Sequence, residues 1–128
     1  MNKPIAIGCQ QALLALLVLG GVWLGLPARW AWVDVPGSVL GVACAVAAFG
    51  LLARAPWALR VARAVLWAEL IAGSVLVTLL GASMAQLAGS YGPVGAGGAL
   101  LFGVIAALIL PYLVVFPALT LRALREPS

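Results

Sequence analysis

Charged residues punctuate this chain so sparsely that the apolar runs between them are its main pattern. Positions 4–28, between Lys3 and Arg29, carry no charge, and neither do positions 35–53, between Asp34 and Arg54. A third run leaves the Arg54, Arg60 and Arg63 group and meets only Glu69, after which positions 70–121 are uncharged. A helix rising about 1.5 Å per residue needs about 20 such residues to span a bilayer's hydrocarbon. The first two runs therefore predict helices over about 5–26, stopped by Pro27, and 37–53, starting at Pro36-Gly37. The run after Arg63 is too long for one crossing. Its stretch Gln86–Pro93 supplies the glycine, serine and proline that favour a turn, which predicts a third helix over about 64–85 and a fourth over about 99–121. The expected fold is all-α, a four-helix transmembrane bundle forming a single membrane domain over 1–128.

Composition narrows the function classes. Hydrophobic residues make up 66% of the chain and charged residues 8%, with a mean hydropathy of +1.22. So few charges cannot clothe the surface of a water-soluble domain. There is no histidine, and the only acids are Asp34, Glu69 and Glu126, which removes most raw material for acid–base catalysis, nucleophile activation or a metal site. Neither enzymatic activity nor a cofactor is expected. The net charge of +4 is spread over short segments between apolar runs rather than gathered in a patch, so it predicts no nucleic-acid partner. Cys9 and Cys44 both lie in apolar stretches and read as small buried hydrophobes.

Loop charge predicts orientation, because lysine and arginine stay preferentially on the cytoplasmic side. With four crossings, Lys3, Arg54, Arg60, Arg63, Arg122 and Arg125 share one side, whereas Arg29 on the other is balanced by Asp34. Both termini are expected in the cytoplasm. The first apolar run exceeds a signal peptide's core and Pro27-Ala28-Arg29 makes a poor cleavage site, so helix one is expected to be retained. Trp23, Trp30, Trp32 and Tyr91 would anchor the outer interface, Trp57 and Trp67 the inner one.

Helices in lipid approach each other through small residues. Gly21/Gly25, Gly37/Gly41/Ala45, Gly81/Ala85/Gly89 and Ala99/Gly103/Ala107 supply four such stripes, which suit packing within the chain and also a homo-oligomer. Pro111 is expected to kink the fourth helix, and Pro117 to help end it. Glu69 is costly at membrane depth. It lies about 9 Å along its helix from Arg63, a depth comparable with that of Gln10 and Gln11 beyond Lys3. One reading is a polar cluster of Gln10 or Gln11 with Glu69 on a solute or proton path. The other is a carboxylate at the headgroup boundary that reaches water or Arg60. Ser74 and Thr78 are expected to bond back to their own helix.

The stretch Val35-Pro36-Gly37-Ser38-Val39-Leu40-Gly41 resembles the hallmark segment of the CidA/LrgA holin-like family. Trp57 resembles that family's central-loop tryptophan, and Tyr91-Gly92-Pro93-Val94 its aromatic-Gly-Pro segment before the last helix. The third helix departs from the family, since Leu70–Val77 holds no proline. In the segment Val35–Gly41, proline and glycine would shape the start of a helix, Ser38 would cap it, and Gly41 would permit close packing. The resemblance implies a small multipass protein of the bacterial inner membrane that acts with a larger LrgB/CidB-type partner. Its expected role is control of permeability, murein hydrolase activity or small-carboxylate transport. For anion passage, Arg29 and the cytoplasmic arginines would then attract charge at either mouth, and Gly37 and Ser38 would offer backbone amides at a helix N-terminus. Two rivals stand beside it: a proton-coupled exporter using Glu69, and a non-catalytic structural subunit of a membrane complex.

Overall fold

The computed structural model describes residues 3–25 and 31–125. Arg29, Trp30 and Glu126, and with them the expected end of the first helix at Leu26–Pro27, lie outside the described residues. Helix α1 spans Lys3–Gly20 and passes into a π-helical turn at Gly21–Gly25. Helix α2 spans Ala31–Leu52 and α3 spans Ala58–Leu110; a second π-helical turn, Pro111–Val115, leads into α4, Phe116–Arg125. There is no strand among the described residues. Three helical stretches, Lys3–Gly25, Ala31–Leu52 and Ala58–Arg125, are long and apolar enough to cross a membrane.

The chain divides into two compact units, Met1–Ala68 and Glu69–Ser128. In the first, one face of α1 is buried at Ile7, Gly8, Gln11, Leu14 and Ala15, a spacing of three and four that brings side chains onto one stripe. The matching stripe of α2 is Gly41, Cys44, Ala47, Ala48 and Leu51. Gly8 lies against Leu51 and Leu52, Gly41 against Leu19, and Gly37 against Val22. Early positions of α1 meet late positions of α2, so the two helices run antiparallel. The α2 stripe is built mostly of small residues, against which Ile7, Gln11 and Leu14 of α1 are also buried, and bulky residues such as Leu16, Val39 and Phe49 point outward. The small residues of α2 and the many exposed bulky ones suit a lipid surround, where close backbone approach replaces the hydrophobic drive.

Helix α2 begins six residues earlier than the pattern predicts, at Ala31 rather than Gly37, and Pro36 lies inside it. As the sixth helical residue, Pro36 forfeits the bond to the Trp32 carbonyl, yet the helix continues through it to Leu52. The far end of α2 is closed by two backbone bonds, Ala55 N–H to Gly50 O at 2.9 Å and Arg54 N–H to Leu51 O at 3.2 Å. This is the Schellman pattern, in which the residue after the cap turns left-handed. Arg54 takes that position with φ 54°, where glycine is usual. The strain of about 1–2 kcal/mol is partly offset by a cation beside the terminal carbonyls. Pro56 follows, and α3 then starts at Ala58, not 64. Arg60 and Arg63 read as a loop because they are charged, yet arginine is a good helix former, and no breaker follows Pro56.

In the second unit the pattern's broad turn over 86–93 contracts to one residue. Gln86, Leu87 and Ala88 remain helical; only Gly92 leaves the helix, with φ 56° and ψ −134°. Pro93 then restarts it, at the position where proline's missing N–H costs nothing, so the expected start near 99 moves to 93. Gly95 meets the Leu87 carbonyl, Gly98 meets Leu87, and Gly103 meets Met84. Further along, Gly73 meets Leu113. These pairs spread symmetrically away from Gly92, so residues 69–91 and 93–125 form an antiparallel hairpin. Pro111 disturbs the returning limb through the π-helical turn. Pro117 stands second in α4 and starts that helix rather than ending one.

Candidate functional site

The polar side chains at membrane depth follow from these two hairpins. Gln11 belongs to the buried stripe of α1 and is fully buried (0% exposed). Neither its Nε2 nor its Oε1 has a hydrogen-bond partner among the described residues. A buried amide left this way costs about 1–3 kcal/mol. Gln10, one residue away and therefore turned by about 100°, is only half-buried.

Glu69 is also fully buried. It extends the face of α3 that carries Ala58, Ala62, Val65 and Leu66, all buried, and lies one turn before Gly73. A Cβ on Gly73 would stand 2.6 Å from both the Cβ and the backbone oxygen of Leu113, so the limbs touch there backbone to backbone. One turn back, the same register sets Glu69 level with Pro117, which is itself buried. The glutamate thus lies on the seam of the second hairpin. Gln10 and Gln11 belong to the first unit and Glu69 to the second.

Ser74 and Thr78 add little polarity to this depth. Ser74 Oγ–H donates to the Leu70 carbonyl at 2.7 Å and Thr78 Oγ1–H to the Ser74 carbonyl at 2.8 Å, the back-bonding expected of hydroxyls on an apolar helix. Together with Val75 and Leu79 they line a shallow, largely apolar groove.

The segment Pro36-Gly37-Ser38 does different work from that expected. It lies within α2, so Ser38 caps no helix end and the amides of Gly37 and Ser38 do not form an anion-binding terminus. Gly37 and Gly41 are instead the close-approach points of the first hairpin. A Cβ on either would come within 2.6 Å of a side-chain carbon, that of Val22 or Leu19. Between them, Trp23 Nε1–H donates to Ser38 Oγ at 3.2 Å, and the π-helical turn Gly21–Gly25 carries both Val22 and Trp23. This latch was invisible in the sequence because the interfacial pattern alone assigns Trp23 to anchoring. Trp57 likewise packs on the first unit: a Cβ on Gly50 would lie 2.7 Å from its indole. Ser38→Ala and Trp23→Phe should each lower stability by about 1 kcal/mol, and a double-mutant cycle unfolded in mild detergent should return most of that as coupling.

No family profile matches the chain, and neither the curated proteins nor the solved structures contain a match.

Proposed function

We propose that the chain is a holin-like integral protein of the bacterial inner membrane, crossing it four times with both termini in the cytoplasm. Lipid surrounds it. In this reading it works as a homo-oligomer or with a larger multipass partner of LrgB/CidB type, and modulates permeability, murein hydrolase activity or small-carboxylate passage. One observation carries the reading: the residues on which the family resemblance rests share a structural task. Gly37, Gly41 and Trp57 lie at close contacts of the first unit, Ser38 accepts the Trp23 bond, and Gly92-Pro93 forms the break in α3. The four crossings draw support from that break, because residues 58–91 alone rise about 50 Å and exceed one bilayer core.

Affinity purification in mild detergent, followed by reconstitution with and without the recovered partner, tests this reading. It expects a larger multipass protein to copurify and carboxylate flux to require both. Flux from the purified chain alone, driven by a pH gradient, would instead select a second reading, a small proton-coupled exporter. The complete burial of Glu69 favours that alternative, since an acid held in hydrocarbon is expensive unless it serves a proton or solute. Copurification without any flux would leave a structural subunit.

A further inference from the structure

The first turns of α3 separate two faces. Ala58, Ala62, Val65 and Leu66 are buried, whereas Arg60, Arg63 and Trp67 stand exposed on the opposite side of the helix. Just before them, the turn out of α2 exposes Arg54 and Trp57. Backbone bonds fix that turn: besides the two that close α2, Ala58 N–H donates to Ala55 O and Arg60 N–H to Trp57 O, both at 3.1 Å. Three arginines thus gather at the α2–α3 end of the first unit, with Trp57 between Arg54 and Arg60 in sequence and Trp67 one turn beyond Arg63. Arg54 holds its place at a cost, since its left-handed backbone, φ 54°, suits glycine better. Strain at an exposed turn points to a task for the side chain.

We propose that Arg54, Arg60 and Arg63 form a binding site for the phosphate of an anionic phospholipid. Arg60 and Arg63, three residues apart on a helix, are neighbours and can bring two guanidinium groups to one phosphodiester, the planar donor geometry that phosphate favours. Arg54 adds a third charge from the turn. Charge complementarity selects the occupant. The three guanidinium groups have no hydrogen-bond or ion-pair partner among the described residues. Asp34, the one acid in the sequence of this unit, lies near the far end of α2, about 27 Å along the axis from Leu52. Glu69 belongs to the other unit and is fully buried. A zwitterionic headgroup would place its own ammonium beside the arginines, whereas an anionic one would not. Trp57 and Trp67, 43% and 42% exposed, supply the amphipathic rings that favour the level just below the headgroups, a flank that a lipid uses and a free anion does not. The inference rests on membrane insertion and is independent of the holin-like reading.

Native mass spectrometry of the full chain in mild detergent, with phosphatidylglycerol and phosphatidylcholine of identical acyl chains, tests the site. Wild type should retain phosphatidylglycerol preferentially. Arg60→Gln/Arg63→Gln should weaken that retention about thirtyfold, the effect of two charges near a headgroup, while Arg60→Lys/Arg63→Lys keeps much of it. Arg54→Gly separates the site from the fold, because it relieves the strained backbone and removes one charge. It should unfold at a higher temperature than wild type and yet hold phosphatidylglycerol about fivefold less tightly. Equal retention of both lipids by wild type would overturn the proposal. So would an undiminished preference in Arg60→Gln/Arg63→Gln, or an equal loss from Lys3→Gln/Arg125→Gln, which would mean diffuse attraction to basic residues rather than a site at this turn. A chain that fails to partition into membranes at all would instead refute the membrane reading itself.

Discussion

Replacing Gly73 with alanine should destabilise the second hairpin by about 2 kcal/mol, whereas Gly81→Ala on the same helix should stabilise it. The new methyl at Gly73 would meet the backbone oxygen of Leu113 at 2.6 Å and its carbonyl carbon at 2.9 Å. A side chain could rotate away, but a carbonyl held in a helix cannot, so the two limbs must separate locally. Overpacking of this kind costs about 1–3 kcal/mol, with a backbone obstacle at the upper end, and the better helix propensity of alanine returns about 1 kcal/mol. Gly81 has nothing within 4 Å and should show the propensity gain alone. Unfolding both variants in the same detergent gives the sign of each change. A matching gain at both positions would mean that the limbs do not meet at Gly73.

Glu69 should show the second large effect. Lysine at this fully buried position reverses the charge and lengthens the side chain, and the chain should fail to accumulate in membranes, because an unsatisfied buried charge costs about 3–5 kcal/mol. Glutamine keeps the size and hydrogen-bonding capacity, so Glu69→Gln should fold with stability within about 1 kcal/mol of wild type. If the acid serves a solute or proton path, that well-folded variant loses flux. Unchanged flux and unchanged stability together would remove Glu69 from any path.

The sequence announced the material of the fold more clearly than its joints. Uncharged runs located the apolar helices because a bilayer-crossing segment must satisfy every backbone group internally and expose apolar side chains. The joints depended on single residues. Gly92 alone breaks a helix that the Gly/Ser/Pro-rich stretch 86–93 spread over eight positions, since helicity persists wherever no residue needs a left-handed backbone. Arg54 shows the opposite case, a left-handed cap occupied by a residue that gives no local sign of it. At the candidate site, Glu69 stood out through the rarity of acids, and Ser74 and Thr78 through their spacing. Gln11 was legible as polar, but its burial follows from which face of α1 meets α2, a tertiary fact. The role of Ser38 is hidden in the sequence, because a Pro-Gly-Ser run resembles a helix start whereas the hydrogen-bond partner of Ser38, Trp23, is fifteen residues away.

Helix α3 folds back at Gly92, and the proposed topology of four crossings depends on that reversal lying outside the membrane. Site-directed labelling with a membrane-impermeant maleimide, in a Cys9→Ala/Cys44→Ala background, examines this with three separate reporters: Lys3→Cys, Tyr91→Cys and Arg125→Cys. The expected result is labelling of Tyr91→Cys from outside intact cells, with Lys3→Cys and Arg125→Cys reacting only once the cytoplasmic face is opened. Termini that label from opposite faces, or a Tyr91→Cys reporter sharing the face of Arg125→Cys, would contradict it.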